Sequence, residues 1–259
     1  MQFGPRGVYH TIRHWLTSLN AGKSTDIIFI DFSKAFDSVS HPKLLHKLLS
    51  YGVRGKLYNW ISAWLTGRTQ TVKLENSFSN PKPVVSGVLQ GSVLGPLLFL
   101  IYINDLVKYL PANANPTLFA DDLKLFSDQV PVTTSRSPFC VSSVLLQEAL
   151  NKLADWSRLW QLSVNIEKCS VLSISNFKSP KKRSYTFCSN IIHQVSSCSD
   201  LGVLVDDKLS FSSHIISMVK KAYKQSFLIS RCVISKNSNI LKKAFCHLCS
   251  PSLRIRFSN

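Results

Sequence analysis

Apolar residues in this chain fall into blocks whose spacing separates strands from helices. Residues 26–32 form a nearly continuous apolar run around Ile27-Ile28-Phe29-Ile30, the pattern of a strand buried on both faces. Residues 10–19 read as a short helix before a polar turn. Leu44, Leu45, Leu48 and Leu49 mark one face of a helix that Gly52 caps. A second helix carries Leu57, Trp60, Ile61, Trp64 and Leu65 on one stripe, and its two tryptophans read as core rather than as a platform for stacked bases. Residues 69–74 are β-prone. Pro96 suits the first turn of an apolar helix reaching to about Leu110. Residues 117–126 read as a β-hairpin with Asp121 and Asp122 at its tip. Residues 144–159 are helical, with short strands predicted at 170–175, 184–188 and 201–205 and a last helix at about 213–229. This irregular alternation predicts an α+β fold, a sheet with helices on one face. Linkers are predicted at 130–137 and 176–184.

Composition narrows the picture. Of 259 residues 45% are hydrophobic and 17% charged, which suits a folded chain with a substantial core. Lys and Arg number 31 against 14 Asp and Glu, a net charge of +17. The excess is uneven: residues 176–259 hold 14 basic and 3 acidic side chains. Such a balance points to a polyanion, either nucleic acid or an anionic membrane surface. The membrane is the weaker option. The longest apolar run, 93–103, is broken by Gly95 and Pro96 and falls short of the ~20 residues a bilayer span needs. No apolar signal region opens the chain, so the expected location is nucleus or cytoplasm and not the secretory route. Seven scattered cysteines agree with reduced thiols. Cys246-His247-Leu248-Cys249 has the gap of a zinc half-site but no second close pair, and reads as thiols near a helix end. Lys181-Lys182-Arg183 fits a solvated basic loop, a phosphate patch or a nuclear-import signal.

The candidate chemistry lies in carboxylates set among apolar residues. Asp31 closes the run 27–30, and Asp121-Asp122 interrupt Leu118-Phe119-Ala120 and Leu123. An unpaired buried ion is costly, and a divalent metal would compensate it. Three carboxylates on adjacent strand ends are what two-metal phosphoryl transfer requires. The turn after Asp31 offers backbone N–H groups to phosphates. Between the acidic segments lies Ser86-Gly87-Val88-Leu89-Gln90-Gly91-Ser92-Val93-Leu94-Gly95-Pro96, a glycine-spaced loop opening onto a helix, which lets a nucleotide approach the backbone closely.

In this order and spacing, the segments resemble the reverse transcriptase domain of non-LTR (LINE-type) retrotransposons, over nearly the whole chain from about Gln2 to Ala244. Asp31-Phe32-Ser33-Lys34-Ala35-Phe36-Asp37 is similar to the first palm motif of that family. Phe119-Ala120-Asp121-Asp122 is similar to its signature hairpin, with Phe for the commoner Tyr. Trp160 to Lys168 and Asp200 to Asp206 resemble the next motif and the primer-grip region. The resemblance implies a right-hand polymerase palm with an antiparallel sheet, partial fingers and a partial thumb. Residues 1–206 would be fingers and palm, and 207–259 a truncated thumb-like helical segment. The implied activity is RNA-directed DNA polymerase, with RNA template, DNA primer and deoxynucleoside triphosphates as partners. Asp31, Asp121 and Asp122 would be catalytic and would hold two Mg²⁺ ions, with Mn²⁺ as the alternative. Phe36 would be the gate against a ribose 2′-OH, Gln90 and Gly91 would lie beside the incoming nucleotide, and Lys168 near the triphosphate. Family members carry further fingers and an endonuclease domain before the stretch matching Gln2 to Arg6, and a fuller thumb beyond Ser250. Their lack here is expected to weaken the hold on primer and template. The competing expectation is a degenerate retroelement remnant that at most binds nucleic acid nonspecifically.

Overall fold

The computed structural model describes residues 5–129, 141–176, 183–232 and 238–248. The linker predicted at 130–137, most of that at 176–184, Lys181, Lys182 and Cys249 lie outside the described residues.

Helix α1 (Pro5–Asn20) leads into β1 (Ser24–Ile30), whose Ile27, Ile28 and Ile30 are buried, as the apolar run predicts. Next come α2 (His41–Ser50) and α3 (Gly55–Leu65). A pair of short ribbons follows, in which β2 (Thr69–Gln70) pairs with β5 (Lys82–Pro83) around β3 (Lys73–Leu74) and β4 (Ser77–Phe78). Helix α4 (Leu94–Ile103) and the short α5 (Leu106–Tyr109) precede the hairpin of β6 (Thr117–Phe119) and β7 (Asp122–Gln129). Helix α6 (Val141–Trp160) buries Leu146, Ala149, Leu150, Leu153 and Trp156, an apolar stripe at helical spacing. Strands β8 (Ser170–Ile174), β9 (Thr186–Phe187), β10 (Asn190–Ile191) and β11 (His193–Val195) come before the hairpin of β12 (Ser197–Asp200) and β13 (Val203–Asp206). The described chain closes with α7 (Ser212–Cys232) and α8 (Ser238–Leu248). The fold is α+β, and its largest sheet has the order β11-β8-β1-β7-β6.

Two compact units share the chain. Residues 26–171 and 181–194 make the larger, around a core that includes Ile28, Ile30, Leu44, Leu48, Phe99, Tyr102, Leu153 and Trp156. Residues 1–25, 172–180 and 195–259 make the other, where Leu204 N donates to His214 Nδ1 (3.2 Å) and ties β13 to α7.

Two expectations need correction. The apolar helix predicted from Pro96 to about Leu110 is broken at Asn104 and Asp105 into α4 and α5. Asp105 turns its carboxylate to Lys47 instead of serving a continuous helix. The stripe on α3 is also not uniformly core. Only Ile61 and Leu65 are buried, while Leu57 is exposed and Trp60 is 56% exposed. The core covers one edge of this helix and leaves the other in solvent.

Candidate active site

Backbone pairing fixes the chain just beyond β1. Asn165 N donates to Asp31 O and Ser33 N to Ser163 O, each at 2.8 Å, and Phe32 forms an antiparallel bridge with Val164. Asp31 therefore leaves the sheet on a segment paired with residues 163–165, with its side chain 40% exposed. Lys168 Nζ stands 3.9 Å from Asp31 Oδ2, an exposed ion pair of little energetic weight. Cys169 lies beside them, buried, its thiol donating to Asn165 O and its pKa pushed up chiefly by that burial.

The second acidic segment sits on a tight hairpin. Phe119 pairs with Asp122, leaving Ala120 and Asp121 as a two-residue turn. Ala120 takes φ +51°, a left-handed conformation that costs an L-residue with a Cβ ~1–2 kcal/mol. Strain of this kind persists where the surroundings impose it, commonly at functional sites. Asp121 is half-buried at the turn, and Asp122 is exposed as the first residue of β7. Strands β1 and β7 are hydrogen-bonded neighbours in the sheet. Among the described residues no three His, Cys, Asp or Glu side chains are gathered closely enough to hold a metal ion by themselves.

The glycine loop is sewn to the turn that follows Asp31. Val88 N donates to Phe36 O and Gly87 N to Val39 O, both at 2.8 Å. His41 Nε2 lies 2.7 Å from Gly87 O, so this histidine tethers the loop. Gly87 has φ +90°, and a Cβ there would come within 2.8 Å of Asp37 O. Gln90 Nε2 donates to Asp37 Oδ1 at 2.9 Å, which holds the predicted nucleotide-side glutamine against the first motif. Gly91, the next residue, also has a positive φ, +82°. Phe36 is half-buried and stacks on Phe99, their ring centroids 4.3 Å apart. Phe36, Asp37 and Gln90 are thus brought together, and Lys168 approaches Asp31.

Two charged groups that the sequence reading passed over proved to be buried. Asp26, inside the apolar run, accepts from Arg183 (3.1 Å) and from the Tyr185 hydroxyl (2.7 Å). Of the basic triplet 181–183, Arg183 therefore serves the interior. Lys47 is buried with Nζ 2.6 Å from Asp105 Oδ1 and 3.6 Å from the Trp160 ring centroid. Burial lowers its pKa, and the hydrogen bond to Asp105 works the other way. Tyr102 lies beside it, its hydroxyl donating to Trp160 O and its pKa pushed up to about 12 by burial. The one available signal was a lysine between Leu44 and Leu48, one residue off an apolar face.

Comparison with known proteins converges on one family. Residues 3–205 match the family described as reverse transcriptase (RNA-dependent DNA polymerase). The RNA-directed DNA polymerase from mobile element jockey of Drosophila melanogaster is 29% identical over 208 residues, covering 78% of this chain and 22% of that protein. The probable RNA-directed DNA polymerase from transposon BS of the same species is 29% identical over 238 residues, covering 86% of this chain and 25% of the other. The chain thus spans no more than a quarter of the length of these relatives. Among solved structures, telomerase from Candida tropicalis, in complex with a fragment of telomeric RNA, superimposes with a TM-score of 0.53 at 13% identity. That match covers 96% of this chain and 42% of the telomerase, and it is a likeness of fold.

Proposed function

The chain belongs to the reverse transcriptase (RNA-dependent DNA polymerase) family, of the non-LTR retrotransposon kind, and from that premise we propose that it copies RNA into DNA. The reaction is nucleotidyl transfer from a deoxynucleoside triphosphate to a DNA primer 3′-OH, directed by an RNA template. The observation that supports it most is the family match over residues 3–205, within which Asp31 follows β1, Asp121 lies in the turn before the neighbouring β7 and Asp122 opens that strand. Residues 1–206 act as partial fingers and palm, and 207–259 as a thumb-like segment.

The donor chemistry fits a divalent ion. Carboxylate oxygens on Asp31, Asp121 and Asp122 are hard ligands of the type Mg²⁺ and Mn²⁺ prefer. Magnesium commonly takes one or two carboxylates and completes its shell with substrate phosphates, so a three-residue cage is not required. When bound, two such ions would lower the pKa of the primer hydroxyl and neutralise the triphosphate. The protein's own groups do the positioning. Phe36, backed by Phe99, presents a flat wall against a 2′-OH. Gln90 and Gly91 shape the nucleotide side, and Lys168 adds positive charge near Asp31. Nucleus or cytoplasm is the setting we infer, and among the described residues no helix is long and apolar enough to cross a membrane.

A second reading, nucleic-acid binding without synthesis, is favoured by the net charge of +17, which attracts a polyanion without a catalytic site. Metal linkage separates the two. Mg²⁺ or Mn²⁺ should raise the thermal midpoint of the wild type, and Asp121→Asn should abolish that rise. An equal rise in both would remove Asp121 from the metal site.

A further inference from the structure

Beside the loop that carries Gln90 lies a cavity of about 590 Å³, large enough for a nucleotide-sized ligand. Lys34, Asp37, His41, Trp64, Arg68 and Gln90 are among its lining residues. Lys34 and Arg68 stand against the single carboxylate of Asp37, which accepts from Gln90, so the charged lining carries a net positive charge. Arg68 Cζ stands 5.2 Å from the Trp64 ring centroid, a cation–π contact that fixes the guanidinium beside an aromatic face. Its Nη1 also donates to Trp64 O at 3.4 Å, which leaves several of its five N–H donors for a ligand.

Helix α3 extends the same chemistry outward. Lys56, Trp60 and Trp64 recur every fourth residue and share one face of the helix. Lys56 is exposed, Trp60 mostly exposed and Trp64 half-buried with part of its surface against the core that holds Ile61 and Leu65. A tryptophan in solvent between cations adds little to folding. Flat aromatic faces interleaved with positive charge are what a single strand of nucleic acid requires, because every base offers a π-face and every link a phosphate.

We propose that Lys56, Trp60, Trp64, Arg68 and Lys34 form a track for single-stranded nucleic acid, with bases on the two indoles and phosphates on the three cations. The proposal rests on the polymerase reading and adds residues that the transfer chemistry does not use. A base joined to phosphate could come from a strand or from a free nucleoside triphosphate. The run of spaced contacts from Lys56 to Arg68 favours the strand. Contacts to base faces and phosphates read neither base identity nor the 2′-OH, so RNA and DNA strands should bind alike.

Binding of labelled polyuridine and polythymidine strands to the full chain, followed by fluorescence anisotropy, tests this. Trp60→Ala touches only an exposed side chain and should weaken both strands at least about fivefold. Arg68→Gln should weaken them and make the salt dependence shallower by about one unit of slope. Circular dichroism melts check that both variants keep the fold, and Trp60→Ala carries the test should Arg68→Gln unfold. Unchanged affinity in folded variants, or no strand binding by the wild type, would overturn the track. Displacement of the strand by a deoxynucleoside triphosphate would also overturn it, by assigning the cavity to the mononucleotide. Primer extension by the wild type, run in parallel, reports on the polymerase reading independently, since it can persist when the track fails.

Discussion

Gly87 shows most sharply how single residues hold the site. Its φ of +90° and the 2.8 Å approach of a hypothetical Cβ to Asp37 O both demand glycine, and the two demands are independent. Gly87→Ala should therefore cost at least ~1–2 kcal/mol from the dihedral alone, with the backbone clash added. The loss should also reach function, because the loop that moves carries Gln90 away from Asp37. Chemical denaturation of the variant gives the first number and its nucleotide KM the second. Wild-type stability in Gly87→Ala would contradict the close approach. Ala120 is the converse case: a residue with a Cβ kept at φ +51° in the turn that carries Asp121.

At the scale of elements, the hairpin of β12 and β13 depends on a left-handed turn, Leu201 at φ +46° and Gly202 at +86°. The chain leaves it through an aspartate-centred turn into α7. Asp206 Oδ1 accepts from Lys208 N (3.0 Å) and Ser210 N (2.9 Å), and Oδ2 from Ser210 Oγ (2.7 Å). Burial pushes its pKa up, but the hydrogen bonds from Ser210, Lys208 and Phe211 outweigh burial and hold it below the usual 3.8. A depressed carboxylate stabilises the fold above its unfolded value, and that contribution is lost as pH falls through the folded value. The Asp206 contribution is thus complete at neutral pH and disappears below 3.8. Ser210→Ala should lower the thermal midpoint at pH 7, and the gap to wild type should narrow on acidification through that window. A gap of constant size from neutral to strongly acid pH would contradict the role given to Asp206. Periodic elements were legible in the sequence, and β1, the β6–β7 hairpin, α6 and α7 stand where residue spacing put them. The Asp31 turn and the glycine loop were legible too, because carboxylates and glycines are rare in apolar runs. Pairings across long sequence distance were not. Asp26 finds Arg183 and Lys47 finds Asp105 only after folding, and no local pattern encodes either meeting. Trp60 lies in solvent for the same reason, since spacing sets which residues share a face and not which neighbours cover it.

On the scale of the whole molecule, charge is the dominant fact. Thirty-one basic side chains against fourteen acidic ones leave a field that favours phosphate backbones irrespective of sequence. Affinity for nucleic acid should therefore fall steeply and linearly on a logarithmic salt axis, roughly a thousandfold between about 50 and about 200 mM if six phosphates are held. Titrations at several salt concentrations, with strands of unrelated sequence, check this, and a salt-independent interaction would contradict it. Binding alone does not make a polymerase, and the central claim is synthesis at Asp31 and Asp121. The most direct measurement is primer extension on an RNA template with Mg²⁺, comparing the wild type with Asp121→Asn. The wild type should extend the primer and the variant should not. A soluble, folded wild type that extends no primer, or an Asp121→Asn variant that extends as well as the wild type, would contradict synthesis at Asp31 and Asp121.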